Sequence, residues 1–201
     1  MARPRAVEDA VILRATADVM GRLGPAGLTL AAVAREVGLV PGTLVQRFGS
    51  KHGLLLALAD RSAAEAADVA DRVRREHRGA LDALRALTVE SAASMVTPER
   101  YAHHLAFLCA DLTDPELYAR ARAVHEAYGR AVAELLARAA ESGELRPGTD
   151  VPALADAVRA VTAGAGLNWA LERRGTLAER LRRDLGTLLA PHLPTRDTEA
   201  S

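Results

Sequence analysis

The chain has 201 residues and a formal net charge of zero at pH 7, with 26% charged and 49% apolar residues. These values are ordinary for a soluble globular protein with one sizeable core, or with a small domain joined to a larger one. The single cysteine, Cys109, excludes an internal disulfide and disfavours a thiolate metal cluster, so we expect neither a metal nor a cofactor.

Positive charge is concentrated at the start of the chain. Residues 1–52 have a net charge of +3, and the remainder has a net charge of −3. A basic segment is a mild indication of an anionic partner, although three charges arise easily by chance. The same segment contains Lys51, the only lysine among 26 basic residues.

Features of export or membrane insertion are missing from the sequence. No N-terminal apolar stretch resembles a signal peptide, and the run GLLLALA (53–59) is too short to span a bilayer. We therefore expect a cytoplasmic protein that has no membrane partner.

The pattern of apolar residues predicts an all-α fold of about nine helices. Alternations of strand type are missing, and aromatic residues make up only 3% of the chain. The first helix is predicted from Val7 to Leu23, before the segment GPAG (24–27) breaks it. Its predicted buried face consists of Val11, Ile12, Ala15, Val19 and Leu23.

Two short helices and a long fourth helix are predicted next. Thr29 suits the N-cap of a helix that ends at Gly38. Pro41 suits the first turn of a third helix, which ends near Gly49. Ser50 is predicted to cap the fourth helix.

Capping residues mark the later helix starts. Thr97 and Asp114 each precede a proline, and Asp150 precedes an apolar run. The segment TLAE (176–179) has the form of a capping box. The main loop is predicted at SGELRPGTD (142–150), so that three short helices are followed by six mostly longer ones.

Residues 29–48 have the spacing of a helix-turn-helix. Small Ala34 lets two helices cross closely, and Gly38 permits a left-handed turn residue between them. Leu44 and Phe48 are predicted to face inward. The outward side chains, short or polar as a DNA groove requires, are Thr43, Val45, Gln46 and Arg47. The spacing alone also fits an ordinary helical hairpin.

The segment LTLAAVAREVGLVPGTLVQRFGSKHGLL (28–55) resembles the DNA-binding segment of the tetracycline-repressor (TetR) family of bacterial regulators. The positions in register with the family pattern are Thr29, Val33, Ala34, Gly38, Gly42, Thr43, Leu44, Phe48, Ser50, Lys51 and Leu54. The resemblance covers about residues 8–58. Beyond them it extends only to helix count, chain length and the loop GELRPGTD (143–150).

The resemblance implies an all-α homodimer with two domains and two kinds of partner. Residues 1–52 would form the DNA-binding domain, and residues 53–201 the ligand-binding and dimerisation domain. The third helices of the dimer would enter successive major grooves of a partly palindromic double-stranded DNA operator. A small-molecule effector would reorient these DNA-reading helices. We expect the regulator to be a repressor.

The resemblance also implies roles for individual residues. Thr29, Thr43 and Lys51 would contact phosphates, and Gly42 would let the backbone approach DNA. Gln46 and Arg47 are candidates for base or phosphate contact, since Gln pairs with adenine and Arg with guanine. Arg3 and Arg5 belong either to an arm that reaches DNA or to a solvated arm.

Two positions depart from the family pattern. Val45 stands where the family usually has Tyr, so apolar surface for a thymine methyl remains but a hydroxyl is lost. Val40 stands at the N-cap of the third helix, where Ser is frequent, and the missing cap costs about 1 kcal/mol of local stability. The alternative function is therefore a family member with weakened or lost DNA binding, which acts as a ligand-binding or interaction protein.

Polar and aromatic residues in apolar surroundings are candidates for contact with an apolar or aromatic effector. They are Met95, His103, His104, Phe107, Tyr128, Asn168 and Trp169. The alternative for each is a surface histidine or a core aromatic residue.

Two late segments, 151–171 and 176–193, would by resemblance pair across the dimer. Small residues in the first of them allow close approach of helix backbones, and they are Ala160, Ala163, Gly164, Ala165 and Gly166. The same residues are compatible with close packing inside one subunit.

An enzyme is the rival class of protein. His103 or His104 with Asp111 or Glu116, or His125 with Glu126, could form an acid–base or metal set, but none has a recognised ligand spacing. A phosphate-binding glycine loop and a nucleophile motif are also missing from the sequence. We therefore predict no catalytic and no metal-binding residues.

Overall fold

The computed structural model describes residues 7–194. Within this range the chain is all-α, as predicted, and none of its helices is both long and apolar enough to cross a membrane. The nine helices are α1 (Asp9–Gly27), α2 (Leu30–Glu36), α3 (Pro41–Phe48), α4 (Lys51–Glu76), α5 (Ala80–Glu90), α6 (Pro98–Asp111), α7 (Pro115–Glu141), α8 (Val151–Glu172) and α9 (Leu177–Leu189). A short 3-10 turn, Ala190–His192, follows α9.

Local capping bonds confirm the predicted helix starts. The side chain of Asp150 accepts a hydrogen bond of 3.0 Å from the amide of Ala153 at the start of α8. At the start of α9, Thr176 and Glu179 form the predicted capping box, in which each side chain accepts from the other residue's amide. These bonds satisfy amides that have no partner within the helix.

The first helix differs from its prediction. It bends at Gly24, whose φ of 65° is left-handed, and continues to Gly27 instead of ending at Leu23. Val11 and Leu23 are exposed, although both were predicted to be buried. The buried stripe of α1 is rotated toward Leu13 and Thr16, and it consists of Ile12, Leu13, Ala15, Thr16 and Val19. Val11 lies beside this stripe, and Leu23 lies where the bend begins.

Contacts divide the helices into two compact units. Unit 1 contains the residues up to Glu65 together with Pro98–Val124, and unit 2 contains Ala66–Thr97 together with the residues from His125 onward. Because the division falls within α4 and α7, it describes packing rather than a break in the sequence. The functional boundary after residue 52 remains a prediction.

The core of unit 1 supports the helix-turn-helix. In this unit α1 packs on α2 and α6, and α2 packs on α3. The buried cluster consists of Ile12, Leu13, Val19, Leu28, Ala32, Val33, Ala34, Leu44, Leu54, Leu58 and Phe107. Helices α1, α2 and α3 therefore share one core with α6 and the start of α4, and α1, at 19 residues, is longer than the short helix predicted.

The core of unit 2 is larger and almost entirely aliphatic. At its centre, α8 and α5 both pack against α9, and α7 also contributes buried side chains. The buried leucines of this core are Leu81, Leu84, Leu87, Leu135, Leu136, Leu145, Leu154, Leu185 and Leu189. Close packing of such residues makes this the rigid part of the unit.

Candidate nucleic-acid interface

The turn between α2 and α3 holds the two helices close together. Ala34 is completely buried, and its carbonyl accepts a hydrogen bond of 2.8 Å from the amide of Leu39. Gly38 has a φ of 67° and open space around its Cα, so the backbone conformation is what requires glycine there. This geometry is that of the helix-turn-helix predicted from the spacing.

The two faces of α3 differ sharply in exposure. Leu44 is 0% exposed and joins the unit 1 core, and Phe48 is partly buried against the same core. Val45 is 47% exposed, and Gln46 is exposed beside it. Thr43, predicted to face outward, is half-buried. The outer face therefore presents Val45 and Gln46 most openly.

Gly42 lies in the first turn of α3 and has no internal reason to be glycine. A Cβ placed there would meet no atom within 4 Å, and its φ is not in the left-handed region. Glycine weakens a helix by roughly 0.5–1 kcal/mol relative to alanine. The close approach of DNA to the backbone at Gly42 remains a prediction from the family resemblance.

Lys51 occupies the first position of α4. Its ammonium donates a hydrogen bond of 3.2 Å to the carbonyl of Pro25, at the end of α1. The hydroxyl of Ser50 accepts one of 3.0 Å from the amide of Gly53, which confirms the predicted cap. The lysine is thus placed beside the positive end of a helix, where anions are attracted.

Arg47 is turned toward the start of α1. Its guanidinium donates to the carbonyl of Val7 and, at 3.1 Å, to the carboxylate of Asp9. In this arrangement Arg47 joins the end of α3 to α1. Arg3 and Arg5, the other predicted basic contacts near this end, lie outside the described residues.

Two further residues of this region were not indicated by the sequence. A Cβ on Gly53 would lie 2.0 Å from the carbonyl oxygen of Phe48, so only glycine permits the tight turn between α3 and α4. His52 lies 3.1 Å from Glu116 and 3.5 Å from Asp114, at the start of α7. The motif GSKHG contains both residues, but their partners could not be identified from spacing.

Three of the predicted effector contacts belong to α6 in unit 1. The Nδ1 atom of His103 lies 2.8 Å from the carbonyl of Gly21 in α1. Phe107 is only 6% exposed and packs within the core of unit 1, and His104 is exposed. His103 and Phe107 therefore have internal contacts of their own.

The other four predicted effector contacts lie in unit 2, in different surroundings. Trp169 is 2% exposed, and its indole N–H donates a hydrogen bond of 3.0 Å to the carbonyl of Gly175. Met95 is partly buried after α5, and Asn168 is exposed on α8. Tyr128 packs against the unit 2 core, and its hydroxyl is buried without a hydrogen-bond partner among the described residues.

The outer face of α8 carries apolar residues that its own subunit does not cover. Leu167 and Leu171 are 47% and 74% exposed, one helical turn apart. Gly164 and Asn168 contribute to an open groove between α8 and α9. Of the small residues of α8, Ala165 and Gly166 are buried inside the unit, whereas Ala160 and Ala163 are exposed.

Over residues 7–194, the arrangement of side chains offers an exposed face of α3 beside a cation at the start of α4. In that range no group of three or more His, Cys, Asp and Glu side chains is arranged to hold a metal ion. The exposed face of α3, the helix-turn-helix and the cation at the start of α4 define a helical DNA-binding protein.

Comparison of sequences gives the family. The profile of bacterial regulatory proteins of the tetR family matches residues 12–58, and that of the tetracyclin repressor-like C-terminal domain matches residues 76–164. The chain belongs to the TetR family of transcriptional regulators. Members of this family are ligand-responsive proteins that bind DNA operators and are typically dimeric. No curated protein is significantly similar to this chain in sequence.

Solved structures share the fold over nearly the whole chain. A transcriptional regulator from Saccharomonospora viridis, in complex with choline, is 19% identical with a TM-score of 0.77, over 94% of this chain and 98% of its own. SmeT, the repressor of the multidrug efflux pump SmeDEF of Stenotrophomonas maltophilia, is 21% identical with a TM-score of 0.70, over 95% and 93%. PfmR from Thermus thermophilus is 19% identical with a TM-score of 0.67, over 89% and 97%.

Proposed function

We propose that the protein is a repressor that binds a partly palindromic operator as a homodimer and is released by a small apolar or aromatic molecule. The observation that carries this proposal is the two-faced α3, with Leu44 fully buried and Val45 and Gln46 presented to solvent. Because operator DNA is cytoplasmic in bacteria, the same proposal places the protein there.

Base contacts are assigned to the outer face of α3. Gln46 can pair bidentately with an adenine, and Val45 offers a methyl-sized apolar surface to thymine. Arg47 is assigned a weaker part in reading bases, since its guanidinium is already engaged with Val7 and Asp9. Specificity on this face therefore falls chiefly to Gln46.

Phosphate contacts are assigned to the ends of the neighbouring helices. Thr29 is exposed and its oxygen caps α2 by accepting from Ala32, which leaves the hydroxyl proton to donate to a phosphate. Thr43, although half-buried, lies in the first turn of α3. Lys51 adds a full positive charge at the start of α4, and Gly42 permits close approach of the α3 backbone.

The DNA assignments are tested with the full chain and a fluorescent duplex from upstream of its own coding sequence. Lys51→Ala is expected to weaken binding to this duplex and to a scrambled duplex alike. Gln46→Ala is expected to lower the preference of the protein for the upstream duplex over the scrambled one. Arg138→Ala, which removes an exposed cation of unit 2, is the control and should change neither. If wild-type protein shows no preference for any duplex, the alternative applies, in which Val45 and Val40 reflect weakened or lost DNA binding.

The homodimer is assigned to α8 and α9. Exposed Leu167 and Leu171 continue the stripe that begins at Gly164, and exposed leucines on one helix face favour burial against another subunit. Leu167→Glu with Leu171→Glu should convert the dimer into monomers in analytical ultracentrifugation. Leu112→Glu, at an exposed leucine of unit 1, should leave the dimer intact. A wild-type monomer would refute the assignment.

The effector site is assigned to unit 2 around Tyr128. Its buried hydroxyl has no partner among the described residues, and the Nε atom of Arg159 is likewise buried and unpaired. Unsatisfied buried polar groups are costly, so a ligand acceptor at Tyr128 would remove that cost. The choline complex of the Saccharomonospora viridis regulator supports a small organic molecule as occupant of this fold. Tyr128→Phe should weaken release of DNA by an effector without changing DNA affinity in its absence.

A further inference from the structure

The ring of His103 lies directly against the bend of α1. Its Nδ1 atom is 2.8 Å from the carbonyl oxygen of Gly21. Since a carbonyl can only accept, Nδ1 must be the protonated nitrogen of this pair. A Cβ on Gly24 would lie 2.7 Å from the imidazole, and Gly24 has a φ of 65°. The ring therefore occupies space that only glycine leaves open.

A second side chain of α6 holds the same part of α1. Arg100 lies one turn before His103, and its guanidinium is 3.3 Å from the carboxylate of Asp18. The Arg100 side chain also lies close to Gly21, about where a Cβ would make ordinary contact. Residues three apart on a helix share one face, so both side chains of α6 contact the last turns of α1.

The bend that His103 contacts leads to Lys51. The carbonyl of Gly24 accepts from the amide of Leu28 at 3.1 Å, which closes the last turn of α1. The carbonyl of the adjacent Pro25 accepts the hydrogen bond of Lys51. Carbonyls in the last turn have no partner within their helix, and a nearby ammonium satisfies them.

We propose that His103 is a positioning residue for Lys51, an inference that rests on the proposed DNA-binding function. By holding Gly21 and Gly24, His103 fixes the place of the Pro25 carbonyl. That carbonyl holds the Lys51 ammonium at the start of α4, before DNA arrives. A side chain that is already ordered loses less conformational freedom when it binds a phosphate. His103 thus sets DNA affinity from α6 without touching DNA.

Full-length variants distinguish this role from a purely structural one. His103→Asn keeps an amide donor near the position of Nδ1, whereas His103→Gln moves the amide beyond it and His103→Leu has no donor. Each is combined with Lys51→Ala and measured by fluorescence anisotropy on the upstream duplex and a scrambled duplex, from 50 to 200 mM salt. Circular dichroism melting of every variant identifies any that fail to fold, and the Asn and Gln pair remains informative if Leu does fail.

The expected result is a thermodynamic coupling between the two residues. Lys51→Ala should reduce the salt slope by about 0.9 per bound subunit. His103→Leu and His103→Gln should weaken binding to both duplexes by no more than Lys51→Ala does. In a protein that already carries Lys51→Ala, either change should cause almost no further loss of affinity. His103→Asn should bind like the wild type.

Two other outcomes would overturn the inference and are distinguishable from failure of the proposed function. If Lys51→Ala weakens binding but the His103 variants do not, the positioning role is wrong while DNA binding stands. If the loss of DNA affinity in a double variant is the product of the fold-losses of the two single variants, His103 acts independently of Lys51. If the wild type binds no DNA, the proposed function fails first.

Discussion

The helix-turn-helix and the predicted effector contacts differ in how their residues are brought together. The DNA-contact candidates of the helix-turn-helix lie between Thr29 and Lys51, from the N-cap of α2 through α3 to the first position of α4. The effector candidates come from separate stretches of sequence and are divided between unit 1 and unit 2. A surface built within one short segment can be predicted from spacing, whereas a cavity built from distant helices requires the tertiary structure.

The chemical type of the effector candidates does not make their contacts predictable from sequence. His103, Phe107 and Trp169 are predicted effector contacts because they are polar or aromatic residues in apolar stretches of the sequence. Each also has an internal contact: with Gly21, with the unit 1 core and with Gly175. A polar or aromatic residue in an apolar stretch of sequence is therefore compatible with a packing role as well as with a ligand contact.

The largest effect is expected where the sequence and the structure agree, at Leu44. Leu44→Ala should reduce the free energy of unfolding by about 2–5 kcal/mol, because it leaves a cavity in the core of unit 1. Val45→Ala, one residue further along the same helix, should change it by less than about 0.5 kcal/mol. Urea unfolding followed by circular dichroism measures both. Equal losses for the two variants would contradict the two-faced α3.

The next largest effect tests whether Trp169 is a packing residue. Trp169→Phe should destabilise the protein by about 1–2 kcal/mol, through the lost hydrogen bond to Gly175 and the lost volume. Asn168→Ala, at the exposed neighbour, should have almost no effect on thermal unfolding. If the Trp169→Phe protein keeps its stability but no longer responds to effector, Trp169 is a ligand contact rather than a packing residue.

A smaller effect is expected at a contact that joins distant parts of unit 2. Glu144 accepts hydrogen bonds of 2.8 and 3.0 Å from the amides of Ala80 and Leu81 at the start of α5. Burial raises the pKa of Glu144, but these amide bonds and one from Ser142 outweigh it and hold the pKa below its usual value. Glu144→Gln should therefore cost about 1 kcal/mol near neutral pH.

The pH dependence of that cost follows from the direction of the shift. Because the folded pKa is lower than the unfolded one, the stabilisation is complete above the unfolded pKa of glutamate. It disappears as the pH falls through the lower folded pKa. Unfolding midpoints of wild type and Glu144→Gln should converge in acid, whereas Glu141→Gln, at an exposed residue nearby, should follow wild type at every pH. A gap that persists in acid would contradict the role of the ionised carboxylate.

The smallest expected effect is a gain in stability at Val40. Val40 is the exposed N-cap of α3 and makes no capping bond, as its departure from the family pattern predicts. Val40→Ser should add about 0.5–1 kcal/mol by accepting a hydrogen bond from the first turn of α3. Val40→Ala should give no gain. Equal stability of the two variants in urea would show that the cap is not limiting.

These predictions reflect what sequence could establish about the fold. Thr29, Asp150 and the pair Thr176 and Glu179 act on amides three residues away, so the sequence was sufficient to predict their helix starts. The bonds from Ala80 and Leu81 to Glu144 join residues more than 60 positions apart, and no local pattern indicates them. The bend at Gly24 is intermediate, because GPAG predicted a break while His103 lies far away in sequence.

The candidate site divides in the same way. Spacing within α2 and α3 predicted which side of α3 is buried, and Leu44 and Val45 follow that prediction. The engagement of Arg47 with α1, and of Lys51 with Pro25, depends on how the helices cross and could not be predicted. The sequence therefore predicted which residues of α3 are buried or exposed better than it predicted the partners of the charged side chains.

Selection of duplexes from a random library by the full-length protein tests the central claim most directly. If α3 reads bases in a homodimer, the selected duplexes should share a two-fold symmetric motif with half-sites about one helical turn apart. Gln46→Ala should relax the motif at one position of each half-site, and Lys51→Ala should leave the motif unchanged. Enrichment of no motif, or of one without two-fold symmetry, would contradict a sequence-specific homodimeric regulator.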